Sequence, residues 1–191
     1  MSAPLSRRDR ILVATVERIT LGGIDALRLQ DVARDAQVAL QLLNYHFSNR
    51  AALIAAALEY AAEQAPSTNL LRSEDSGSAI EHLRIALRAE FDEGDVRRLN
   101  LVWNEVAALP LDEGVPLRAL SQATSGWDDQ VMIGVLRCMV EGSMPQHASP
   151  REIAEALTSG VEGLSQSWLA GLIDAGRART LLDRLIDSYR A

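Results

Sequence analysis

The chain has 191 residues, 48% hydrophobic and 24% charged, a composition that can build a globular core in one large or two small domains. All 19 basic residues are Arg, and against 26 Asp and Glu they leave a formal charge of -7, which excludes a bulk-basic nucleic-acid coat. A single Cys and three scattered His exclude a disulfide scaffold and a metal site built on local spacing.

No apolar run reaches the roughly 18 to 20 residues that span a bilayer, and Ser2 to Arg10 lacks the apolar stretch of a secretory signal. A cytoplasmic protein without a membrane partner is expected. The charge is unevenly spread: Met1 to Leu58 carries seven Arg against five acids, and the remainder twelve Arg against twenty-one. That asymmetry is the footprint of a small anion-binding module on an acidic body.

Apolar residues recur at spacings of three and four almost throughout, and alternating strand patterns are missing, so the fold class is all-α with about nine helices. Ser6 caps the first helix, with Asp9 at its positive end; Ile11, Leu12, Val16 and Ile19 form its core stripe, and Gly22-Gly23 ends it. A short second helix carries Leu29, Val32, Ala33 and Ala36. After Gln37-Val38-Ala39 a third runs from Leu40 to about His46, and a fourth starts after Ser48-Asn49 and is closed by Pro66.

Pro66 to Ser78, rich in Ser, Asn and Gly, reads as a linker, which divides the chain into residues 1–65 and 66–191. Ile80, Leu83, Leu87 and Phe91 mark a fifth helix broken at Gly94, and Leu99 to Leu109 a sixth that Pro110 stops. A seventh runs from about Leu117 to Val140 with Leu120, Trp127, Val131 and Val135 inward. Ser149, Pro150 and Glu152 open the eighth, whose apolar positions continue to Leu172. Asp174 caps the ninth, which carries Ala178, Leu182, Ile186 and Tyr189.

Two short helices about three residues apart, preceded by a capped amphipathic helix, match the helix-turn-helix, whose second member enters the major groove. From Ile11 to about Leu58 the chain, with its segment GGIDALRLQDVARDAQVALQLLNYHFSNRAALI, resembles the TetR family of bacterial one-component regulators. The segments LVWNEVAALP and VEGLSQSWLAGL are more loosely similar to the ligand domain of the choline-responsive BetI branch. The resemblance implies a DNA-binding, ligand-responsive transcriptional regulator. It further implies repression released by a small-molecule effector, and a homodimer on a double-stranded DNA operator.

By that resemblance Tyr45, His46 and Arg50 stand where the family meets phosphate or supports the recognition helix, and Phe47 where an apolar plug locks it. Arg28 adds to the positive surface with Arg7, Arg8 and Arg34. Gln41, with an amide that both donates and accepts, suits an adenine edge, and Asn44 comes second. Three positions depart from the family pattern: Gln37 replaces a turn Gly, Ala39 a capping Ser, and Asn44 the commoner aromatic. If Gln37 occupies the family's turn, its φ should be positive or the turn rebuilt.

No enzyme is expected, and no catalytic residue, metal or cofactor is assigned. The segment GLSQS at Gly163 to Ser167 lacks the last Gly of a nucleophile elbow and sits in a helical pattern. Asp112-Glu113 and Asp128-Asp129 are neighbours in sequence and diverge on a helix. Cys138, among Val135, Met139 and Val140, reads as a core thiol.

Helices five to eight, carrying Phe91, Trp103, Trp127, Met132 and Trp168, can enclose an apolar effector pocket with Asn104, Glu105 and Gln130 as polar anchors. A Trp face could also hold a quaternary ammonium. Gly160, Gly163 and Ser167 form a small-residue stripe beside Leu164. With Leu182 and Ile186 of the ninth helix, they are expected to pair two copies as a four-helix bundle. The alternative from another class is a helical effector-binding or interaction protein without specific DNA binding.

Overall fold

The structure is a computed structural model that describes residues 5–64, 71, 77–107 and 117–191, without the side chains of 117–120 and 123. Its helices, in chain order, are α1 (Arg7–Gly22), α2 (Leu29–Asp35), α3 (Leu40–His46), α4 (Arg50–Gln64), α5 (Ala79–Arg88), α6 (Asp95–Ala107), α7 (Leu117–Glu141), α8 (Pro150–Leu169) and α9 (Ala175–Asp187). There is no strand among the described residues. Pro66, most of the stretch to Ser78, Leu109, Pro110, Asp112, Glu113 and the Leu120 side chain lie outside them.

Several helix starts follow from local chemistry. The Ser6 hydroxyl accepts from the Asp9 amide at 3.1 Å while the Asp9 carboxylate accepts from the Ser6 amide, a closed capping box. Asn49 caps α4 by accepting from the Ala52 amide at 2.8 Å. The Ser149 hydroxyl accepts from the Glu152 amide ahead of Pro150, and the Asp174 carboxylate accepts from the Arg177 amide at 2.7 Å.

Two ends differ from the sequence reading. The fifth helix stops at Arg88 and tightens into a 3₁₀ turn over Ala89–Phe91, which carries Phe91 fully inside. The eighth stops at Leu169 instead of continuing to Leu172. Gly171, at φ +72°, donates to the Trp168 carbonyl and Leu172 donates to that of Ser167, so the last carbonyls are satisfied by a Schellman turn and not by further helix.

The molecule divides into two units. The first comprises Met1–Glu63 and Leu101–Ala123, the second Gln64–Asn100 and Thr124–Ala191. In the first, α1, α2 and α3 pack on one another, and Ile11, Leu12 and Ile19 of α1, Val32 of α2, Leu43 of α3 and Leu53, Ile54 and Leu58 of α4 are all buried. Burial of one such side chain contributes about 1.5–3 kcal/mol, which is how three helices of 16, 7 and 7 residues hold together although the short ones would not form alone.

The second unit is built on Leu83 and Leu87 of α5, Phe91, Val131 and Val135 of α7, Leu157 and Val161 of α8, and Leu182 and Ile186 of α9. Arg84, only 10% exposed in its side chain, ties α5 to α9 by pairing with Asp183 at 3.1 Å and Asp187 at 2.8 Å, and with Glu81 on its own helix.

Candidate nucleic-acid interface

The turn between α2 and α3 is where sequence and geometry meet most closely. Gln37 has φ +55°, the one positive value at a non-glycine position among the described residues. Its amide donates to the Arg34 carbonyl at 3.1 Å, and the next amide, of Val38, donates to that of Ala33 at 2.9 Å. This is the same Schellman pattern that Gly171 makes after α8, here built on Gln. The left-handed position stops α2 and turns the chain so that α3 starts as a separate helix at Leu40.

α3 starts without a side-chain cap: Ala39 has an extended backbone, and its carbonyl accepts from the amides of Leu42 and Leu43. Leu43 is fully buried, and Phe47, just past the helix, is 4% exposed with the Arg8 guanidinium 5.7 Å from its ring centre. The opposite arc, with Leu40, Gln41, Asn44 and Tyr45, faces solvent; Tyr45 is 82% exposed. His46 is half-buried between these two faces and stacks edge-on to Tyr45, ring centres 5.5 Å apart. The helix is thus fixed from beneath by Leu43 and Phe47 and offers two amides and a phenol outward.

The basic residues divide by their partners. Arg28, before α2, is exposed and makes no ion pair with any described residue. Arg34 pairs with Asp31 at 2.8 Å and with Asp35, and Arg18 pairs with Asp35 at 2.5 Å, which holds that carboxyl below the usual carboxylate range. Arg50 points inward: its guanidinium donates to the carbonyls of Ile24 and, at 3.3 Å, Leu27. From the other side Glu105 of α6 accepts from the Ile24 amide at 3.3 Å. The loop from Gly23 to Leu27 is therefore clamped between a cation at the start of α4 and a carboxylate on α6. The sequence offered neither partner, because both bonds join residues far apart in the chain to main-chain atoms.

Residues 11–57 match the family of bacterial regulatory proteins, tetR family. A protein from Rhodococcus sp. described as a TetR-family transcriptional regulator has the same structure over 97% of this chain and 98% of its own, with 33% identity and a TM-score of 0.89. The chain belongs to the TetR family. It is a DNA-binding transcriptional regulator, and the reading as a helical protein without specific DNA binding falls away.

Two further TetR-fold neighbours carry ligands. A transcriptional regulator from Saccharomonospora viridis in complex with choline has 19% identity, 96% coverage of both chains and a TM-score of 0.78. The regulator FadR from Bacillus subtilis in complex with stearoyl-CoA has 15% identity, covers 93% of this chain and 97% of its own, and has a TM-score of 0.77. No curated protein matches this TetR-family chain.

The residues expected around an effector fall in different places. Phe91, Trp127, Gln130 and Trp168 belong to the second unit, whereas Trp103 and Asn104, half-buried on α6, belong to the first. Phe91 and Trp168 meet edge to face, ring centres 6.1 Å apart, and the Arg97 guanidinium lies 5.8 Å from the Trp168 ring centre. The indole N–H of Trp127 and the Ser165 hydroxyl are buried and meet no hydrogen-bond partner among the described residues.

The expected dimer residues also separate. Leu182 and Ile186 are fully buried within the chain, so their side chains hold the α8–α9 pair together from inside. Gly160 faces α9, where an added Cβ would run into the Leu185 side chain; Gly163 is exposed, and an added Cβ there would meet nothing within 4 Å. Leu164 and Ser167 are half-buried, and the Ser167 hydroxyl donates to the Gly163 carbonyl.

GLSQS lies inside α8, and no three His, Cys, Asp or Glu among the described residues are grouped to hold a metal. Cys138 is fully buried, and burial pushes its thiol up to about 11, away from the thiolate a redox sensor needs. No helix among the described residues is long and apolar enough to cross a membrane.

Proposed function

We propose that the protein is a cytoplasmic, non-enzymatic repressor that binds a two-fold DNA operator as a homodimer and leaves it when a small molecule occupies the second unit. The observation that carries the DNA half is the left-handed turn at Gln37, which sets α3 apart with Gln41, Asn44 and Tyr45 outward. Gln41 and Asn44 read base edges, Tyr45 and Arg28 meet phosphates, and His46 supports the helix. Arg50 contributes by fixing the loop between α1 and α2, with any phosphate contact secondary to that task.

The effector half rests on chemistry inside the second unit. An indole N–H and a hydroxyl buried without partners in apolar surroundings favour a mainly apolar ligand carrying a hydrogen-bond acceptor. Trp168 already has a cation at its ring in Arg97, which weakens the case for a quaternary ammonium there. An acyl compound therefore ranks ahead of choline. Differential binding worth about 1–3 kcal/mol would lower operator affinity 5- to 150-fold.

The deciding experiment is fluorescence anisotropy of the full chain with the DNA preceding its own gene, against a scrambled duplex at moderate salt. It is repeated with stearoyl-CoA and with choline. Equal affinity for both duplexes would refute specific reading, and release by choline with no response to the acyl compound would overturn the ligand class.

A further inference from the structure

The exposed arc of α3 holds one side chain that neither the core nor helix capping explains. Leu40 occupies the first helical position, where an acidic or capping residue would stabilise the helix and where α3 has no acid in its first turn. It is 36% exposed, whereas Leu43 one turn on is fully buried. At 100° per residue, Leu40, Gln41, Asn44 and Tyr45 span an arc of about 140°, so the apolar side chain lies on the reading face about 40° from Asn44, one turn on.

We infer that Leu40 reads DNA sequence by packing on the C5-methyl group of an operator thymine, from the same face of α3 that carries Asn44 and Gln41. The thymine methyl is the apolar feature of the major-groove edge, and an aliphatic side chain is its natural partner. A Leu at this place excludes water from the methyl and leaves a cytosine, with its N4 amino group and no methyl, facing an apolar wall. This inference rests on the DNA-reading assignment above and adds a specificity determinant to it.

The test uses a duplex enriched by the full chain from a random-sequence pool. Each thymine is then replaced in turn by deoxyuridine, which differs only in lacking the methyl. At one symmetry-related pair of positions, affinity should fall about four-fold per half-site and about fifteen-fold with both replaced, from about 0.8 kcal/mol per methyl. Leu40→Ala should bind the thymine and uracil duplexes alike at that pair, with a melting temperature near that of the unaltered protein, and Leu40→Met should keep the sensitivity. Uracil tolerated at every position, or sensitivity unchanged in Leu40→Ala, overturns the thymine contact alone. A protein that enriches no sequence overturns the DNA reading and this inference with it.

Discussion

Replacing Gln37 by Gly should stabilise this protein, an unusual direction for a single substitution. Gln37 sits at φ +55° with its side chain exposed, so the change removes no burial and keeps both amide bonds of the turn. A left-handed backbone costs a non-glycine residue about 1–2 kcal/mol. Glycine returns about 0.4–1 kcal/mol of that through its freer unfolded chain. The net is a gain of about 0.5–1 kcal/mol, or a rise of about 1–4 °C in Tm for a chain of this size. The assay is urea denaturation at fixed protein concentration, read as a higher midpoint at constant slope. Gln37→Val should move the midpoint the other way by more, because a β-branched residue tolerates this conformation least. A Gly variant no more stable than the parent would refute the argument and assign the Gln37 side chain an interaction worth about the strain it offsets.

Three further outcomes follow from named contacts. Arg50→Ala should lower stability by about 1–3 kcal/mol through loss of charged hydrogen bonds to Ile24 and Leu27; an unchanged midpoint with a salt slope shallower by about 0.9 per lost contact would instead make Arg50 a phosphate ligand. The Arg84 guanidinium holds the Asp187 carboxyl below its usual range, so that pair contributes stability above about pH 4 and loses it as acid protonates the folded form. Asp187→Asn should accordingly flatten the fall in urea midpoint between neutral and acid pH, and an equally steep fall would exclude the pair as its cause. Gly163→Leu meets open space within its own chain, so it should leave the fold intact and break the dimer in sedimentation; a dimer that persists removes this face of α8 from the interface.

What the sequence determined by itself was everything set within a few residues. The caps at Ser6, Ser149 and Asp174 depend on side chains reaching amides three positions away, and the stop at Gly23 on that residue's own backbone freedom. The left-handed turn at Gln37 runs against that residue's preference and was legible only through the family resemblance. The apolar spacing that separates Leu43 from Gln41, Asn44 and Tyr45 is likewise local, which is why the order of amino acids alone is enough to mark the reading face of α3.

The tertiary structure decided which charges and small residues are free to act. Arg50 and Glu105 read in sequence as a phosphate-facing and a ligand-facing group, yet each is held by atoms between 23 and 81 positions away. Gly160 and Gly163 are equivalent in a small-residue stripe until Leu185 of α9 fills the space before one of them. Residues 101–123 group with the first unit for the same reason. Helical periodicity tells which side of a helix is apolar. Only the packing of distant segments tells what that side meets, because the partner is chosen by shape and burial across the whole chain.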